Sequence, residues 1–88
     1  MVALTYKVMP DSGVDDVSAD DIATQIVALK DETYDVQLCE TKPLAFGLKF
    51  IQVHVVMNDG SGLSDIFEDS MRAIHGTGEI EVLSMGLL

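Results

Sequence analysis

His54, His75, Cys39 and the carboxylates are the side chains that could hold a metal, and their spacing argues against it. No pair has the close separation of a zinc site, and the two histidines fall on different elements. Asp11, Asp15, Asp16, Asp20 and Asp21 are dense enough to suggest calcium. They do not follow the calcium-loop order of alternating acidic residues closing on Gly, and no Glu stands at the twelfth position. A solvated loop and the capping of a helix account for them. NDGSG at 58–62 and GTG at 76–78 match neither G-x-x-x-x-G-K-S/T nor G-x-G-x-x-G, so they read as turns, and the chain is not expected to bind a nucleotide itself. No Ser, Cys or Lys has a base nearby in sequence, and no motif pairs two carboxylates, so covalent catalysis is not indicated. One stretch stands apart, KPLAFGLKF at 42–50, which sets Phe46 between Ala45 and Gly47 at a break marked by Pro43. A ring there is either a core residue among small neighbours or an exposed anchor whose pose Gly47 permits.

The elements that must hold this stretch follow from periodicity. In VALTYKVM at 2–9, Val2, Leu4, Tyr6 and Val8 alternate with Thr5 and Lys7, a half-buried strand stopped by Pro10. Ser18 suits the cap of a helix with Asp20 and Asp21 in its first turn. Ile22, Ile26 and Leu29 form its apolar stripe, and its end is expected near Lys30. TYDVQLCET at 33–41 alternates again, with Tyr34, Val36 and Leu38 on one side. LKFIQVHVVM at 48–57 is the strongest strand, with Ile51, Val53, Val55 and Met57 facing away from Phe50, Gln52 and His54. Leu63, Ile66, Phe67, Met71 and Ile74 mark a second helix, with Gly76 as its expected C-cap. EIEVLSM at 79–85 is a last strand. This order is that of an α+β, ferredoxin-like βαββαβ sandwich, a four-stranded antiparallel sheet with two helices on one face. The other face is left to solvent or to a partner.

Composition bounds the possibilities. Eighty-eight residues suit one domain, here 1–88, with one modest core. Fifteen carboxylates against five Lys and Arg give a net charge of −10, which disfavours nucleic acid and favours steering toward a basic protein surface. No apolar run reaches the length of a membrane span, the N-terminus lacks the marks of a signal peptide, and the single Cys39 has no internal partner, so a reducing cytoplasm is the expected location.

KVMP at 7–10, KPLAFGLK at 42–49, the following IQVHVV and the closing EIEVL together resemble the archaeal elongation factor 1-beta family and the C-terminal exchange domain of its eukaryotic counterparts. AFGLK at 45–49 is the specific part, and the resemblance extends over nearly the whole chain in element order. It implies a guanine nucleotide exchange domain that promotes GDP release and GTP reloading on elongation factor 1-alpha, without covalent chemistry and without a cofactor. It implies that Phe46 is the interface ring, with Ala45, Gly47 and Lys49 beside it. It also implies that the C-terminal strand end, Leu87 and Leu88, lies near the partner's nucleotide site. The eukaryotic members place a lysine near their C-terminus toward the magnesium site, where this chain has Gly86 and Leu87. Read by themselves, Lys42 and Lys49 are solvated charges. Two other readings remain beside the exchange factor: a small-molecule-sensing regulatory domain of the same strand order, and a structural subunit that assembles through open-face residues such as Phe50 and Val56.

Overall fold

A computed structural model describes residues 1–11, 13, 16–43, 48–58 and 62–87. The order of elements is β1 (Val2–Pro10), α1 (Ala19–Val27), β2 (Tyr34–Pro43), β3 (Lys49–Met57), α2 (Leu63–Arg72) and β4 (Thr77–Leu87). The strands form one antiparallel sheet in the order β2-β3-β1-β4, the arrangement expected of the ferredoxin-like fold.

The core is built by the alternation in the sequence. Leu4, Tyr6 and Val8 of β1 pair with Val55, Val53 and Ile51 of β3, and all six are buried. Ala19, Ile22 and Ile26 of α1 and Phe67 and Met71 of α2 join the same cluster, so both helices cover one face. The Phe67 ring lies 4.9 Å from that of Tyr34 and 6.0 Å from that of Tyr6, within the range of favourable aromatic contact. Both tyrosines give their hydroxyls a partner: Tyr34 donates to the Leu63 carbonyl at 2.7 Å and Tyr6 to Glu68 Oε2 at 3.3 Å. Burying each such ring contributes about 1.5–3 kcal/mol.

The termini of α1 explain its length. Ser18 and Asp21 form a reciprocal capping box at its start. The helix closes at Val27 rather than near Lys30, because Leu29 and Lys30 tighten into turns on Ile26 and Val27 and Leu29 tucks against the core. Asp31 then accepts from the backbone of Thr33 and Tyr34, which starts β2. The second helix differs in two ways from its stripe. Ile66 is exposed on its flank, and the C-cap is Ala73, with Gly76 three residues on in a left-handed turn at φ 93°. Pro10 falls inside β1 as the partner of Thr77, so β4 begins two residues before the expected Glu79.

A register shift between Val36 and Leu38 redirects the second half of β2. Cys39 pairs with Val53 and packs on the core, while Leu38 pairs with His54 and belongs to the open face. Strict alternation had put Leu38 with Tyr34 and Val36, and the bulge reverses that.

Candidate functional site

The acidic segment before α1 is occupied by structural tasks. The Asp11 backbone N–H donates to the Gly76 carbonyl at 2.7 Å, and its carboxylate accepts from Gly13 N at 2.9 Å. Asp16 lies 2.9 Å from His75 Nε2, a hydrogen bond that holds its carboxyl below the ordinary range. Asp21 completes the capping box. Asp15 lies outside the described residues. Among the described residues no group of three or more His, Cys, Asp or Glu could hold a metal ion. His54 sits apart on the open face, its Nδ1 3.0 Å from Thr5 Oγ1. Cys39 donates from Sγ to the Ala23 carbonyl at 3.4 Å, and burial pushes its thiol up to about 11.

The strand ends on either side of the stretch that carries Phe46 are fixed to each other and to α1. β2 and β3 remain paired to Pro43 and Lys49, so the five residues 44–48 join the last partners of the ladder. On the helix side Asp20, in the first turn of α1, accepts from Thr41 Oγ1 at 3.0 Å and lies 3.9 Å from Lys49 Nζ. One carboxylate thereby ties α1 to both strands that bracket the segment. Lys49 is exposed and associated with Asp20. On the open face Lys42 pairs with Phe50, and Lys7 Nζ stands 5.2 Å from the centre of the Phe50 ring. That is a cation–π distance, and it covers part of the one aromatic ring on the face among the described residues. Ala45, Phe46 and Gly47 lie outside the described residues, as does Leu88.

Leu87 is described, and it lies at the other end of the molecule. It pairs with Val2, and Val2 pairs with Met57 at the far end of β3 from Lys49. Eight residue steps along β3 lead from Lys49 to Met57, about 26 Å at about 3.3 Å each. Lys49 and Leu87, both expected to meet the partner, therefore lie toward the two ends of a body 37 Å long. Around Leu87 the helix layer stops short. A cleft of about 280 Å³ opens there, walled by Val2, Leu4, Met57, Met85 and Leu87, with Asn58 and Ser64 supplying its polar atoms.

Two features of the site were not read from the sequence. The Asp20 tie depends on α1 crossing the β2–β3 ends, which no local pattern reports. The Lys7–Phe50 contact was within reach, because alternation already put both residues on the open face and only their diagonal register was missing.

The family model described as the EF-1 guanine nucleotide exchange domain matches residues 3–88. Elongation factor 1-beta of Methanococcoides burtonii is 33% identical over 85 residues, covering 97% of this chain and 93% of the relative. The protein of the same name from Methanothermobacter thermautotrophicus is 35% identical over 81 residues, covering 92% and 89%. That of Saccharolobus solfataricus is 33% identical over 85 residues, covering 96% and 91%.

Proposed function

Because the chain belongs to the EF-1 guanine nucleotide exchange domain family, whose role is nucleotide exchange in translation elongation, we propose that it acts on elongation factor 1-alpha, loosening GDP so that GTP can replace it. The observation that carries the reading is the match over residues 3–88, which spans the AFGLK string and both strands that bracket it. Phe46 is the anchor, Ala45 and Gly47 set its pose, and Lys49 stands at its base. Leu87 and Leu88 form the second contact. The unit of function is the single exchange domain 1–88, it works in the cytoplasm, and it changes no covalent bond.

The energetics ask for two contacts. A thousandfold faster release of GDP needs about 4 kcal/mol, at about 1.4 kcal/mol per decade. Burying one phenylalanine ring contributes about 1.5–3 kcal/mol before the costs of association. One ring does not reach the requirement, and the second contact, at Leu87, supplies the remainder. This end lacks the cation that would compete with magnesium, since Val82–Leu87 carries no charge. Its contribution is steric and apolar. Coupling is reciprocal, so GDP weakens the factor's hold on the GTPase as much as the factor weakens GDP, and fresh nucleotide releases it.

The test compares release of a fluorescent GDP analogue by the wild type, Phe46→Ala and Leu87→Ala, each checked for an unchanged melting temperature. Phe46→Ala should lower the exchange rate at least tenfold, the loss of about 1.4 kcal/mol or more, and Leu87→Ala should lower it by less. Unchanged rates in both variants would remove these residues from the site.

A further inference from the structure

We infer that Asp20 is a positioning residue for exchange, fixing the two strand ends between which the chain carries Phe46. The inference deepens the exchange reading above and rests on it. Asp20 is the second residue of α1, and the helix does not need its carboxylate for capping. The cap is made by Ser18 and Asp21. Thr24 Oγ1 donates to the Asp20 backbone carbonyl and not to its side chain. The two carboxylate oxygens go instead to the sheet, one to each strand. Oδ1 accepts from Thr41 Oγ1 of β2 at 3.0 Å, and Oδ2 lies 3.9 Å from Lys49 Nζ of β3.

Register makes these two partners the ones that matter. Thr41 pairs with the buried Ile51, and Pro43 pairs with Lys49 two residues on, so Thr41 and Lys49 belong to the last two helix-side pairs of the β2–β3 ladder. Pro43 has no N–H to donate, and ladder ends open first. The backbone alone therefore holds these ends least well. The other end of the tie is a fixed point. Ala19, Ile22 and Ile26 bury α1 in the core, and the capping box closes its start. Asp20 thus refers both strand ends to one anchored helix turn. The Asp20 and Lys49 side chains are each more than half exposed, so their pair adds little to global stability. Placement is more demanding than stability, since a shift of about 1 Å in a working group can cost about a hundredfold in rate. The tie therefore acts on where the anchor is presented and not on whether the chain folds.

Two measurements test the role, the first without any GTPase. In the free chain, the protected amides among Glu40–Lys42 and Lys49–Ile51 should exchange hydrogen about tenfold faster in Asp20→Ala than in the wild type. Val53 and Val55 should keep their rates, and the melting temperature should stay within about 3 °C. The second is release of a fluorescent GDP analogue from elongation factor 1-alpha at saturating chain, where the charge-dependent encounter no longer enters. Asp20→Ala should lower the maximal rate about fivefold. Asp20→Asn keeps an acceptor for Thr41 and should recover part of that loss. In a Thr41→Val background, which removes the donor, Asp20→Asn and Asp20→Ala should act alike. Asp69→Asn removes the same charge from an exposed carboxylate of α2 and should leave the rate unchanged. Unchanged hydrogen exchange in Asp20→Ala overturns the inference. So does a maximal rate that falls no further than in Asp69→Asn, or an Asp20→Asn recovery undiminished by Thr41→Val. In each of these cases the wild type still speeds release, whereas a wild type that does not overturns the exchange reading and this role with it.

Discussion

Cys39 illustrates how far single residues could be read. Its type raised the question of reactivity, and its neighbours answer it. The bulge in β2 turns it toward the core, where the thiol donates to the Ala23 carbonyl. With its pKa raised from 9.0 to about 11, a difference of about two units, its thiolate fraction at pH 8 is about a hundredfold below that of a free thiol. A disulfide reagent such as Ellman's should therefore react with the native protein at least that much more slowly than with the urea-unfolded chain. Equal rates would contradict the packing described. Ile66 and Leu38 mark the same limit from the other side. Each fits an apolar stripe by spacing, and each is turned away from the core, Ile66 by lying on the flank of α2 and Leu38 by the bulge. Hydrophobic period reports a face only while the register is unbroken. Val53, Phe67 and Ile51 sit on unbroken stretches, and their burial was legible from the sequence.

At the level of elements, strands and helices followed from periodicity, whereas their ends depended on tertiary contacts. The capping box at Ser18 was half visible, since Ser and acidic first-turn residues announce it. Closure of α1 at Val27 was not, because Leu29 leaves the helix to pack on the core. The glycines on either side of α2, Gly62 at its N-cap and Gly76 in the turn beyond its C-cap, separate two effects. Gly62 has φ 79° and open space around a would-be Cβ, so Gly62→Ala meets only left-handed strain, about 1–2 kcal/mol. Gly76 has φ 93°, and a Cβ there would run into Val17 Cγ2. Gly76→Ala adds overpacking to strain and should cost about 2–4 kcal/mol. Urea melts of both variants check the order. A Gly76→Ala chain as stable as Gly62→Ala would mean that the segment around Val17 does not rest against this turn.

The molecule as a whole is an acidic sheet with Lys49 toward one end and Leu87 toward the other. Strand pairing runs from Pro43–Lys49 to Val2–Leu87, interrupted by register shifts, so a partner that touches both Lys49 and Leu87 meets points set about 26 Å apart along β3. The sequence named Lys49 and Leu87 but could not show how far apart they lie, because that distance arises from antiparallel pairing of segments remote in the chain. The net charge of −10 acts at longer range. It should speed encounter with a basic GTPase surface and make that rate fall as salt rises, since screening shortens from about 10 Å at 0.1 M to about 3 Å at 1 M. The central claim is exchange itself, and the most direct measurement is the release of a fluorescent GDP analogue from the same organism's elongation factor 1-alpha. The wild-type chain is titrated at low and high salt, with unlabelled nucleotide in excess. The account predicts release that accelerates with added chain, saturates, and responds less steeply at high salt. Release that stays at its intrinsic rate across the titration, with both proteins folded, would contradict it.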